Sequence, residues 1–194
     1  MKYLAIATFA AGLALASAAD AAVFIVDAKA NSSSGGVGAS SIALIAGQNF
    51  TVSVDSGDLW NAGALPRWSN ADGLTGPLLA TGSDDSGQAA GTLIGADFGV
   101  WSQNGLDAAY GTLVGELGGV FKVLGTSFAG PAWGTGTLNL YYWDSNSFDN
   151  TEFISADISS AVPEPVTWAM MIVGFGLAGS ALRSRGRGLM HASA

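Results

Sequence analysis

The sequence predicts an all-β body, an antiparallel β-sandwich, set between two apolar terminal segments. Three observations carry this. Glycine accounts for 28 of 194 residues, about twice ordinary usage, as expected of a chain with many turns. Charged residues are only 11% and hydrophobic residues 49%, which excludes a charge-driven disordered chain and a charged helical bundle. Short alternating runs rich in Val, Thr, Phe, Trp and Tyr recur between turn residues, and no amphipathic helix interrupts them.

The elements follow in order. Lys2 is a positive n-region, and Tyr3 to Ala16 is an uninterrupted apolar run. Ala16-Ser17-Ala18 and Ala19-Asp20-Ala21 both fit the small-residue cleavage rule, so residues 1–22 read as a secretory signal peptide. The run is too short to span a bilayer, which takes roughly 20 residues. Cleavage after Ala18, Ala21 or Ala22 is equally compatible.

Residues 23–162 form the exported domain. Strands are expected at Val23–Val26, Asn49–Val54, Gly91–Val100, Tyr110–Leu117, Val120–Leu124, Gly136–Trp143 and Glu152–Ile158. Asp55-Ser56-Gly57, Asn70 to Gly73, Asp84 to Gly87, Asn104-Gly105, Gly118-Gly119 and Asp144 to Asn150 are the turn signals between them. Asn31 to Ser41 is Ser/Gly-rich and reads as a loop. Seven or eight short strands of this kind make a sandwich.

Charge and cysteine remove whole classes of function. The domain carries 13 Asp and Glu against Lys29, Arg67 and Lys122, a net of −10. That field repels a phosphate backbone, which excludes nucleic acid as a partner. Cysteine is absent, so there is no disulfide framework, zinc–thiolate site or thiol nucleophile. The domain also has no histidine, since His191 lies in the tail, and no G-x-S-x-G or HExxH motif. With neither base nor nucleophile in evidence, the chain is not expected to be an enzyme.

Two loops are richer in oxygen donors than turns require. One runs from Ser53 to Gly63 and on to Pro66-Arg67-Trp68. In the other, the aromatic strand end Tyr141-Tyr142-Trp143 leads into Asp144, Asn146, Asp149 and Asn150. Calcium takes six to eight hard oxygens and accepts such mixtures of carboxylate, amide and carbonyl. The spacing is not that of an EF-hand, because Phe148, Asp149 and Ser155 stand where an oxygen ligand, the turn Gly and the closing Glu belong. Short acids in loops are also ordinary turn formers. Trp60 and Trp133, both in Gly-rich loops, are the candidate sugar-stacking rings.

The C-terminal segment begins with Pro163-Glu164-Pro165. An uncharged run of 17 residues follows, Val166 to Leu182, and then Arg183, Arg185 and Arg187. This run is near the lower limit for a spanning helix, and the arginines orient it with the tail 188–194 inside. Gly174-Phe175-Gly176-Leu177-Ala178-Gly179 spells a dinucleotide fingerprint, but it lacks the preceding strand. Small residues there suit close packing against a partner helix.

Residues 163–187 resemble the PEP-CTERM sorting signal of Gram-negative bacteria, in its PEPxxWAMM and GFG features. The resemblance implies a transient inner-membrane anchor. It also implies processing at Pro163-Glu164-Pro165 by an exosortase-type membrane protease, then delivery to the cell surface or extracellular matrix. The domain itself, over residues 47–158, is similar to the small galactose-binding lectins of bacteria. The similarity rests on Phe50 to Trp60, Tyr110 to Gly115 and, above all, Leu138 to Asn150. It implies a jelly-roll, galactose-binding-like sandwich in which Asp144, Asp149 and Asn150 hold calcium, with a carbonyl near Asp58 to Asn61. Trp60 and Asn61 are the expected carbohydrate contacts, and exopolysaccharide or other glycans the expected ligands. The pattern departs from the family in a shortened loop, an Asp-Asn pair and a missing sugar-contacting His. The alternative is a structural matrix or adhesion domain with no small ligand.

Overall fold

Side-chain alternation decides the architecture. In a computed structural model, which describes residues 21–160, 170–179 and 183, residues 19–161 form one compact unit. Its strands are β1 (Ala22–Asp27), β2 (Ala39–Leu44), β3 (Asn49–Val54), β4 (Trp60–Asn61), β5 (Trp68–Ser69), β6 (Leu78–Leu79) and β7 (Leu93–Gly95). They continue with β8 (Val100–Gln103), β9 (Leu106–Ala109), β10 (Leu113–Leu117), β11 (Val120–Val123), β12 (Ser127–Pro131), β13 (Gly136–Tyr142) and β14 (Phe153–Ser160). Two four-stranded sheets result, in the orders β1-β14-β3-β12 and β11-β10-β13-β2, with three two-stranded ribbons beside them. All ladders between these strands are antiparallel.

The core lies between the sheets. β3 buries Phe50, Val52 and Val54, and β14 buries Ile154, Ala156 and Ile158. Leu113, Leu117, Leu138, Leu140 and Tyr142 join them from the second sheet. Each buried side chain of this kind contributes about 1.5–3 kcal/mol. A smaller cluster of Ala108, Val114 and Trp143 lies on the opposite face of β10, with Trp101 of β8 and Leu106 of β9 packed against it. The β8–β9 turn is Asn104-Gly105, and both residues have positive φ, 51° and 79°. A two-residue hairpin of this type demands that conformation, which Asn and Gly tolerate best.

The sandwich and the antiparallel pairing agree with the sequence. Several elements differ. β2 occupies the end of the stretch read as a loop: Ser40 and Ser41 look like turn residues but bond across to Asn139 and the Leu138 carbonyl. β12 ends at Pro131, which an edge strand accommodates because no ladder donor is needed there. The strand expected over 91–100 is only β7, three residues long. β1 begins at Ala22, opposite Ile158, one residue before the expected domain boundary.

Residues 170–179 and 183 are helical. No helix among the described residues is long and apolar enough to cross a membrane, so the span expected over 166–182 is described only in this part. Residues 1–20 of the signal peptide, Pro163, Glu164, Pro165, Arg185 and Arg187 lie outside the described residues.

Candidate functional site

β13 belongs to one sheet and β14 to the other. The loop 143–152 is therefore a crossover at one end of the sandwich, and it carries the oxygen donors singled out above. Its first residue is locked by packing: Trp143 is fully buried and its Nε1 donates to the Trp101 carbonyl at 2.9 Å. Ser33 then clamps the main chain of Asp144, its hydroxyl accepting from the N–H at 3.1 Å and donating to the C=O at 3.0 Å. The far end is tied to β4, where Asn61 and Thr151 exchange N–H···O bonds of 3.1 Å in both directions. Asn150 is fixed from below, its amide donating to the Ala28 carbonyl at 3.0 Å.

These constraints bring Asp144, Asp149 and Asn150 together. Asp144 is only 5% exposed and Asn150 only 1%. Burial raises the Asp144 carboxyl pKa above its ordinary value, and the charge of Asp149 raises it further. Bonds from Ser145, Asn150 and Asn146 act in the opposite direction. The Asn150 Oδ1 and the Tyr142 hydroxyl are buried without a hydrogen-bond partner. Tyr142 is held far above its usual pKa by burial, with Asp144 and Asp149 adding to the effect. A buried carboxylate and a second carboxylate thus lie close together beside the Asn150 amide, and a cation between the two acids would relieve their repulsion.

The donor set fits calcium, which prefers hard oxygens and accepts neutral ones. Among the described residues no three Asp, Glu, His or Cys side chains converge as a metal cluster. A cation held here would draw on two carboxylates and otherwise on neutral oxygens. Asp149 lies over Gly63, whose φ of +115° and missing Cβ leave room for the carboxylate. Any Cβ at position 63 would collide with it.

The expected sugar contacts are placed differently. Trp60 is fully buried. Its ring meets Tyr142 edge-on at 4.5 Å and its Nε1 donates to the carbonyls of Asn70 and Gly111, at 3.1 and 2.9 Å. It is a core residue and offers no face to a ligand. Asn61 is at the site through its backbone, but its side chain is 8% exposed and its Oδ1 accepts the Gly63 N–H at 2.6 Å. Trp133 packs on Phe50 and Phe128 and carries Lys122 at 5.0 Å over its ring. Asp58 is engaged too, its carboxylate accepting the Ser155 N–H at 2.6 Å.

Three residues at the site were not singled out from the sequence. Phe148 sits at the loop tip with 82% of its surface exposed. Lys29 approaches it, with Nζ 3.1 Å from its carbonyl oxygen and 5.7 Å from its ring centroid. Arg67 stands 3.6 Å from the Asp149 carboxylate and 4.5 Å above the Phe98 ring. An aromatic inside the polar run Ser145-Asn146-Ser147 was the available signal for Phe148. The scarcity of cations was the signal for the other two.

No family model matches the sequence, and no curated protein matches it. One similar solved structure is the EclA N-terminal domain, a PllA-like lectin, at 19% identity. The match covers 72% of this chain and 94% of that one, with a TM-score of 0.42.

Proposed function

We propose that this protein is an exported, non-catalytic β-sandwich that binds calcium at the 144–150 loop and a carbohydrate beside it. The observation that carries the reading is the Asp144 carboxylate, buried within reach of the Asp149 charge, in a loop whose Asn150 also has a buried Oδ1 without a partner. Asp144, Asp149 and Asn150 would hold the ion, which when bound supplies a Lewis-acidic centre for sugar hydroxyls. The chain's own residues do the rest. Ser33 and Trp143 fix Asp144, Gly63 makes room for Asp149, and Phe148 offers an exposed ring for the apolar face of a sugar.

Delivery follows from the terminal segments. The signal peptide sends the domain across the inner membrane, and the PEP-CTERM-like tail holds it there until an exosortase-type protease acts at Pro163-Glu164-Pro165. The destination is the cell surface or extracellular matrix. Arg183, Arg185 and Arg187 keep the tail end inside. A second reading, a structural matrix domain without a ligand, is favoured by the Arg67–Asp149 ion pair, which already offsets one carboxylate.

Glycan-array binding of the full chain with and without calcium tests the first reading. Calcium-dependent binding lost in Asp144→Asn supports it, whereas calcium-independent binding or none overturns it. Glu164→Ala should leave an unprocessed, membrane-retained precursor. Normal release at native length would remove the sorting assignment.

A further inference from the structure

The domain has three cations, and two of them flank one loop: Arg67 at Asp149, and Lys29 at Phe148. Of the domain's 13 carboxylates, all but Asp144 and Asp149 lie outside the 144–150 loop. Placement of this kind is selective, because a net charge of −10 drives anions away from every other face. When a divalent ion is matched by Asp144 and Asp149, the charges of Arg67 and Lys29 are left over. The rim of the site then becomes positive within an acidic molecule.

The apolar groups of the site accompany those cations. Phe148 is 82% exposed and Phe98 is 45% exposed, with the Arg67 guanidinium against the Phe98 ring. Arg67 is held on that ring and by the Ala62 carbonyl at 3.5 Å, so its planar fork is partly positioned before any ligand arrives. A guanidinium presents five donors in a geometry that matches a carboxylate. Asn150 of the same loop keeps a buried Oδ1 without a partner.

We infer that the carbohydrate taken at this site is an acidic sugar, a uronate, whose ring lies against Phe148 and whose carboxylate meets Arg67 and Lys29. The inference rests on the calcium-site reading above and specifies the ligand class within it. A neutral hexose would use the ion and the aromatic ring but offer no anion to either cation. Arg67 and Lys29 are the residues that set the preference, and neither is needed to build the β-sheets.

The test compares methyl galacturonoside with methyl galactoside, titrated into the calcium-loaded full chain by calorimetry. The uronide should bind at least about tenfold tighter, the effect of one charge-assisted bond in a partly buried setting. Added salt should weaken the uronide and spare the galactoside. Arg67→Gln should weaken the uronide more than the galactoside, cutting the ratio of the two affinities to about twofold or less. Lys29→Gln, whose side chain bonds to the Phe148 carbonyl, should reduce the preference by a smaller factor and guards against a folding defect in the first variant. Equal affinities, or an Arg67→Gln variant that loses both sugars alike, would overturn the uronate inference alone. Binding of neither sugar by the calcium-loaded chain would remove the carbohydrate reading together with it.

Discussion

Loops 81–88 and 144–150 have nearly the same chemistry on paper, a pair of acids among Ser, Thr, Asn and Gly. Their carboxylates are treated in opposite ways. Asp84 accepts from the hydroxyl and N–H of Ser86 and of Thr81. These bonds, that of the Ser86 hydroxyl foremost, lower its pKa from 3.8 to about 2. Asp85 reaches across to the Leu59 N–H at 2.9 Å and braces a distant turn. It is exposed, as its neighbourhood suggests, yet it also acts as a strut. In the later loop the chain buries Asp144 faster than it supplies donors, and the pKa moves up. The first loop satisfies its acid as folded, whereas the second leaves Asp144 buried beside the charge of a second carboxylate. Acid count is therefore a poor guide to metal sites, and the balance between burial and donor supply is a better one.

Calcium addition gives the largest test of this contrast. At a hundred times its dissociation constant, an ion that binds only the folded state adds about 2.7 kcal/mol. For a domain of this size that is roughly 5–10 °C in melting temperature. Asp144→Asn should abolish the shift and Asp84→Asn should preserve it. A shift that survives in Asp144→Asn would show that calcium binds elsewhere.

Acidity offers the next. Unfolded Asp144 titrates near 3.8 and the folded group higher, because of burial first and Asp149 second. The folded state keeps that proton to higher pH, so this group's contribution to stability falls as pH rises from 3.8 through the folded value. Calcium needs the ionised carboxylate, and its affinity should climb through the same window. Chemical denaturation of the calcium-free protein across that range measures the slope. Asp144→Asn should flatten it, and an unchanged slope in the variant would assign it to another group.

The smallest effect belongs to the finished loop. The Asp84 contribution is fully present above 3.8 and is lost as pH falls through about 2. Because the group is exposed, Asp84→Asn should cost less than about 1 kcal/mol at neutral pH. A larger loss, read from urea melts, would mean that the loop also carries load from its neighbours.

The sandwich was legible because β3, β13 and β14 alternate cleanly, apolar side chains inward at every second residue. β2 was hidden because Ser40 and Ser41 spend their hydroxyls on a neighbouring strand, a use that composition does not distinguish from a turn. At the site, Asp144, Asp149 and Asn150 came from the resemblance to the lectins, since the loop's composition alone suits a turn equally well. Trp60 was misjudged because a Gly-rich loop suggests exposure, whereas two carbonyl partners and Tyr142 draw the indole inside. Arg67 could not be placed from sequence, since it lies 82 positions before Asp149 and long-range ties such as the Asn61–Thr151 bridge bring the two loops side by side.

The position of β14 has a mechanical consequence. It is an inner strand, registered over six residue pairs with β1 and five with β3. A pull applied at Ser160 runs along both ladders, so their bonds share the force and must yield together. A pull at Ala22 loads the edge strand β1 through one ladder only. Single-molecule stretching against a common handle at Gly87 should therefore give higher rupture forces through Ser160 than through Ala22, and equal forces would refute this. A domain held by its C-terminal end is gripped at the strand best able to resist drag.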